Sequence, residues 1–216
     1  MQIKKYCGAW LAAAAVTLIL AAPAQATLQA RDLDGNGASD AVYDTGLNIT
    51  WLRDANVNGQ TDWFVANNWA NGYSFGGYSD WRLPTTTLLD SGCSYPSESA
   101  GSGCNGSEMG HLFYEALAGV AGSSILDVNN GQLALFTNVQ AGRYWSSTPS
   151  PSFPGPYTFI FGSGTQDSSN SYFSSYNSWL VRPGDVTGAQ VPEPETLVLA
   201  LTALAGLGLV RRRRPA

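Results

Sequence analysis

A short stretch, Gly76-Gly77-Tyr78-Ser79-Asp80-Trp81-Arg82-Leu83-Pro84-Thr85, limits the fold more than any other part of the chain. It packs aromatic rings, an arginine, a leucine and a proline into a few residues directly after a glycine pair. Three other segments repeat its chemistry: Trp51-Leu52-Arg53, Arg143-Tyr144-Trp145 and Trp179-Leu180-Val181-Arg182. Tryptophan is the costliest side chain to leave in water, and apolar alternation around these segments points it inward. The expectation is that the four segments meet in one core. Trp51, Trp81 and Trp145 fill it, Pro84 fixes the extended chain, and Arg82 and Arg182 bond carboxylates or lie on rings.

Both ends of the 216-residue chain read as addressing signals. Lys4 and Lys5 precede an apolar run from Ala9 to Ala22, and Ala24-Gln25-Ala26 is a small-x-small cleavage pattern, so residues 1–26 are read as a secretory signal peptide. At the other end a linker, residues 186–196, holds Pro192-Glu193-Pro194. An apolar run, Leu197 to Val210, and Arg211-Arg212-Arg213-Arg214 follow. The run is shorter than the roughly 20 residues of a comfortable span, but four consecutive arginines would be costly on a core helix. They favour the cytoplasmic face of a membrane. Residues 197–214 are therefore expected to be a membrane helix with its arginine cluster. These three parts in this order resemble the PEP-CTERM sorting signal. That resemblance implies transient anchoring in the inner membrane, cleavage by an exosortase-type membrane protease, and delivery to the cell surface or the extracellular polysaccharide.

The part between the ends is large enough for one domain. Residues 27–196 contain five arginines and no lysine against 16 acidic residues, a balance near −11. Nucleic acid and anionic membrane surfaces are excluded as partners on that ground, whereas cations and neutral hydroxyl-rich polymers are compatible. Cys93 and Cys104 lie in a Ser/Gly-rich loop and are expected to form a disulfide in an oxidising compartment.

Residues 27–41 open the exported part as an acidic Asp/Gly loop. Asp32, Asp34, Asn36 and Asp40 fall at positions 1, 3, 5 and 9 of an EF-hand-like spacing, with Gly37 at position 6. Position 12 is Tyr43 rather than a bidentate glutamate, and no helix pattern flanks the loop. An Asx/Gly turn region is the favoured reading, with Ca²⁺ as the alternative. Next come two strands, Ala41–Asp44 and Leu47–Leu52, the second half-buried by its alternation. A helix follows over Thr61–Tyr73, capped by Thr61, and a second helix runs from Ser107 to Gly119 with Met109, Leu112, Phe113, Ala116 and Leu117 on one face. Later strands are expected at Arg143–Ser147, Tyr157–Phe161 and Ser178–Arg182, separated by Pro-rich and Ser-rich loops.

Gly77–Thr85, Tyr144-Trp145-Ser146-Ser147-Thr148 and Val181-Arg182-Pro183 together resemble the exported domain at the C-terminus of a bacterial collagen-like adhesin. Thr45-Gly46-Leu47 with Thr50-Trp51 matches that family's opening strand. The resemblance covers residues 42–185. It implies an α+β, C-type-lectin-like single domain with two helices, a small antiparallel sheet and long loops. The Glu-Pro-Asn, Gln-Pro-Asp and Trp-Asn-Asp triplets of sugar-binding C-type lectins do not occur here, so lectin activity does not follow from the fold. Polyanion binding does not carry over to a domain this acidic.

No catalytic set assembles from the sequence. His111, the single histidine, has Glu108 and Glu115 at i−3 and i+4, and this trio reads as a solvated helix face rather than a metal site. The tyrosine- and serine-rich loops at Tyr157 and Tyr172–Tyr176 are the better candidates for a recognition surface. The expectation is a non-enzymatic, surface-sorted protein with a binding or structural role in a polysaccharide matrix. A carbohydrate-modifying enzyme and a calcium-stabilised structural protein are the alternatives.

Overall fold

The computed structural model describes residues 27–186. These form an α+β domain with two helices and two sheets. The first sheet contains β1 (Leu28–Arg31), β2 (Ala41–Asp44), β3 (Ile49–Leu52) and β10 (Val181–Pro183), in the order β1-β2-β3-β10 and antiparallel throughout. The last strand thus returns to the opening hairpin, with Val181 opposite Trp51 and Arg182 opposite Thr50. The second sheet is built on β6 (Arg143–Pro149), β7 (Pro156–Ile160) and β8 (Thr165–Ser168). Short strands β4 (Gln60–Thr61), β5 (Gly101–Ser102) and β9 (Tyr176–Asn177) complete the order β4-β9-β6-β7-β8-β5.

The glycine-led stretch forms the seam between the sheets. Arg82 exchanges both backbone hydrogen bonds with Val181 of β10, each at 2.9 Å. Two residues on, the Pro84 carbonyl accepts from the Ser147 amide of β6 at 2.8 Å, and the Thr86 amide donates to Thr148 Oγ1. One extended segment is therefore bonded to both sheets. Proline suits it because its carbonyl, the group used here, is intact and its missing N–H is not needed.

Strands crossing this seam bury both faces. Trp51, Tyr144, Trp179 and Val181 enter one cluster with Phe113, Phe159 and Phe161. Their chain neighbours Leu52, Trp145 and Leu180 enter a second cluster with Trp81 and Leu83. The half-buried alternation expected of Leu47–Leu52 is accordingly not found: every residue of β3 is buried, Thr50 included, whose hydroxyl donates to the Gly184 carbonyl. A polar residue is tolerated there because its donor is satisfied.

α1 (Trp63–Gly72) is capped by Asp62, whose Oδ1 accepts from the Val65 amide at 3.0 Å, not by Thr61, which belongs to β4. It turns Ala66 and Ala70, one turn apart, into the second cluster. α2 (Glu108–His111) is a single turn that widens over Leu112–Ala116, where the Leu117 amide reaches back to the Leu112 carbonyl. Met109, Leu112, Phe113, Ala116 and Leu117 are all buried. Gly110 is obligatory: a Cβ there would overlap the Cys104 carbonyl, so the missing side chain lets the disulfide loop lie on the helix. Cys93 and Cys104 are bonded.

Three further differences from the sequence reading are physical. The stretch 27–41 read as loop contains β1, and the Ser-rich stretch 163–177 contains β8 and β9. In β8 the inward residues are Gln166 and Ser168, so no apolar alternation marks it. The strand expected from Tyr157 is β7, but Tyr157 is buried in it with its hydroxyl donating to the Glu98 carbonyl, so it is no part of a recognition surface. No helix among the described residues is long and apolar enough to cross a membrane. The signal peptide (1–26), most of the linker, and the apolar run with its arginine cluster lie outside the described residues.

Candidate binding site

Four of the five central arginines are committed to carboxylates. Arg82 makes a two-pronged contact with Glu108 (2.8 and 2.6 Å), and Glu108 also accepts from the Thr85 amide. Arg182 does the same with Asp80 (2.8 and 3.1 Å), its guanidinium 4.4 Å from the Tyr78 ring centroid. Arg31 grips Asp185, and Arg143 bonds Asp167. The hydrogen bonds from Arg182 hold the Asp80 carboxyl below the ordinary carboxylate range, and those from Arg31 do so for Asp185, against a smaller opposing effect of burial in each case. Trp51, Trp81 and Trp145 are enclosed. These contacts are architectural: in the Arg82, Arg182 and Arg31 pairs a planar guanidinium faces a carboxylate with two bonds, which fixes the geometry of both side chains.

The Asp-rich loop brings Asp32, Asp34 and Asp40 together, one oxygen of each within 4.8 Å of the others. That spacing could serve a hard cation. The same oxygens are in use within the loop. Asp32 accepts from the Gly35 and Gly37 amides, Asp34 from the Asn36 amide and side chain, and Asp40 from the Leu33 amide. Asn36 turns its own oxygen to the Ala38 amide. The amide of Gly37 contributes most to lowering the Asp32 pKa. This is the nested turn geometry expected of Asx and Gly residues.

The His111 trio does not assemble. Glu108 belongs to Arg82, and Glu115 accepts from Asn105. His111 is mostly enclosed and faces the fully buried Asp44 of β2 at 3.6 Å. The solvated helix face read from the sequence is therefore an inward-facing pair. Only the three-dimensional return of α2 onto β2 could reveal it.

Two other features among the described residues bear on ligand binding. The first is a rim of aromatic rings at the N-terminal end of α1. Phe64 stacks on Tyr172 (centroids 5.2 Å, planes 25° apart), contacts Phe173 at 5.8 Å, and Trp63 closes the group edge-on to both Phe64 and Tyr172. Phe64 is 45% exposed and Phe173 78% exposed. Among the described residues no other aromatic contact joins two exposed rings. The Trp63 indole N–H donates to the Ser146 carbonyl, and its backbone amide to the Tyr172 carbonyl, so the rim is anchored from beneath.

The second is a cavity of about 220 Å³ at the other end of α1, lined by Asp40, Arg53, Asp54, Tyr73, Phe75 and Thr137 among others. Its walls are held by backbone bonds: the Arg53 amide to the Asp40 carbonyl, the Thr137 amide to the Arg53 carbonyl, and the Ala55 amide to the Thr137 carbonyl. Burial, with Asp54 and Asp40 nearby, raises the Tyr73 pKa above its usual value, so this hydroxyl keeps its proton.

Residues 40–182, well over half of the chain, match the family described as the Lcl C-terminal domain. The chain belongs to that family. Residues 190–214 match the PEP-CTERM protein-sorting motif, which marks an exported, surface-sorted protein processed by an exosortase. No curated protein and no solved structure matches the chain. In this Lcl C-terminal domain the Gly77–Thr85, Tyr144–Thr148 and Val181–Pro183 motifs are the seam segment, β6 and β10, the pieces that join the two sheets. Neither the rim nor the cavity draws on those motifs, apart from the anchoring carbonyl of Ser146, which is why reading the motifs did not find them. A weak signal for the rim was present in the paired aromatics Trp63-Phe64 and Tyr172-Phe173.

Proposed function

We propose that this exported protein is a non-enzymatic component of the extracellular polysaccharide matrix, holding a C-type-lectin-like arrangement of its α+β domain. It contacts neutral polymer through the rim of Trp63, Phe64, Tyr172 and Phe173. The observation that carries the reading is the exposed, ordered ring group on a domain whose other large rings are mostly enclosed. Rings fixed by stacking present flat apolar faces at little entropic cost, and such faces suit the C–H faces of pyranose units. The acidic balance of the domain disfavours polyanions.

The test is retention of the purified full-length protein by a panel of neutral polysaccharides in affinity electrophoresis. Retention by at least one polymer is expected, together with its loss in a Phe64→Ser/Phe173→Ser double variant that melts normally. A wild-type protein that no polymer slows, or a double variant slowed as much as wild type, overturns the reading.

A carbohydrate-modifying enzyme is the rival. Its support is that Asp40 and Asp54 line one cavity. Both carboxylates are occupied as acceptors, Asp40 by the Leu33 amide and Asp54 by the Asn56 amide and the Asn138 side chain, which suits holding a ligand better than moving a proton. A calcium-stabilised surface protein is a further reading, supported by the convergence of Asp32, Asp34 and Asp40.

A further inference from the structure

Arg53 is the exception among the five central arginines. It forms no ion pair within 4.0 Å among the described residues, although Asp40 and Asp54 line the same cavity. Its side chain makes one hydrogen bond, from Nη1 to the Ser39 carbonyl at 3.0 Å, and its Nε is enclosed without a partner. Guanidinium carries five donors in a fixed fork, so most of its capacity is unspent here. The Tyr73 hydroxyl also makes no hydrogen bond among the described residues. Leu52, Val57 and Phe75 supply an apolar lining beside these groups. An enclosed polar atom left without a partner is costly, and one that belongs to a cavity-lining residue, with an unbonded hydroxyl on a second lining residue, is the mark of a site that a ligand completes.

The chemistry of the lining selects the ligand. A phosphate, sulfate or carboxylate would meet Asp40 and Asp54. An ammonium would meet Arg53. What answers a guanidinium and two carboxylates held too far apart to pair is a group that donates and accepts at once, and adjacent hydroxyls do this: one oxygen accepts from Arg53 while its proton goes to a carboxylate. The apolar lining asks for a ligand with one C–H face. The cavity volume is that of a single ring, not of a chain.

The geometry points to the Arg53–Asp40–Asp54–Tyr73 cavity as a binding site for one neutral, polyhydroxylated ring, a terminal or branch monosaccharide unit. The site is separate from the aromatic rim: Phe64 and Tyr73 are nine residues apart along α1 and its cap, about 14 Å at helical rise. It takes a ring end-on where the rim takes a polymer face.

The experiment is ligand-observed saturation-transfer NMR with methyl glycosides of glucose, galactose, mannose and N-acetylglucosamine, on the full-length protein in a sugar-free detergent. Saturable binding of at least one glycoside is expected, with a dissociation constant on the order of 1 mM. Tyr73→Phe keeps the ring packed on Trp69 and Trp81 and removes only the hydroxyl, and should weaken binding about tenfold. Arg53→Met should abolish it. Phe64→Ser/Phe173→Ser should leave it unchanged, so failure of the rim and failure of the cavity are read separately. The proposal is overturned if no glycoside saturates. It is equally overturned if both cavity variants, shown folded by circular dichroism, bind as wild type, or if binding follows the rim variant instead.

Discussion

Arg182 and Arg53 occupy neighbouring places and are treated in opposite ways. Arg182 lies on β10 across from Thr50, and Arg53 follows directly after β3. Arg182 is closed into a two-pronged contact with Asp80 and covers the Tyr78 ring. Arg53 faces two carboxylates and pairs with neither. A domain with so few cations places them by role. Where the chain must hold two sheets together, it places a carboxylate within reach of the guanidinium: Asp80 for Arg182, and Glu108 for Arg82. Where it leaves a guanidinium open beside a cavity, stability is not the gain, because an unpaired, partly enclosed cation costs desolvation and returns little.

The contrast between paired and open arginines should be greatest at the seam. Arg82→Met would leave Glu108, whose side chain is only 14% exposed, with no cation and one remaining amide donor. Losing one partner of an enclosed charged pair costs about 3 kcal/mol, or roughly 9 °C in melting temperature for a domain of this size. Adding Glu108→Gln to Arg82→Met should recover part of that loss, since the uncompensated charge is gone. A single variant that melts with wild type would remove the structural role assigned to the paired arginines.

Acid should act on two of the paired carboxylates, Asp80 and Asp185. Asp80 and Asp185 are held below the ordinary carboxylate value of 3.8 by their arginines. A depressed native pKa contributes stability that is complete above the unfolded value and is lost as pH falls through the native one. Melting temperature should therefore drop as pH is lowered from about 5 to 3. In Arg182→Met the curve should be flatter, because Asp80 no longer titrates below its unfolded value. The size of the change is modest, as half of the Asp80 side chain is in water and its pairing is screened. Parallel curves for the two proteins would show that the Asp80 pair does not link stability to pH.

How far the sequence discloses this molecule follows the same division. The opening hairpin, the apolar face of α2 and the terminal sorting motif were legible, because hydrophobic period, turn residues and composition carry them locally; the face of α1 was legible only in part, since Ala66 and Ala70 are buried while Phe64 of the same run is exposed. The seam was legible through Trp81, Arg82 and Pro84, as a clustering of residue types that only a core explains. β8 was not, since its inward residues Gln166 and Ser168 are polar; Gln166 is satisfied by the Ser99 carbonyl, a partner 67 positions away. The Asp62 cap was misassigned by one position because Thr61 is an equally good capping type and the short β4 pairing with Tyr176 decided between them. The cavity could not be read at all. Asp40, Arg53, Tyr73 and Thr137 come from four segments, each ordinary by itself, and an arginine without a partner looks the same in a sequence as an arginine with one.

At Arg53 the same substitution should leave the fold nearly untouched. If Arg53 serves a ligand and not the fold, Arg53→Met should change stability by no more than about 0.5 kcal/mol, near 1–2 °C. It gives up one hydrogen bond to the Ser39 carbonyl, worth about 1 kcal/mol. In return it relieves an enclosed Nε that has no acceptor, and it places a flexible apolar side chain beside Leu52, Val57 and Phe75. The two effects oppose and nearly cancel. The comparison with Arg82→Met is then direct: the same substitution on the same kind of side chain, with several times the thermal cost at the seam. Equal losses at the two positions would mean that Arg53 is held by the fold as firmly as Arg82, and that the open guanidinium is architecture after all. A clear gap, measured by differential scanning calorimetry under one buffer condition, separates the residues that join the sheets from the one that faces the cavity.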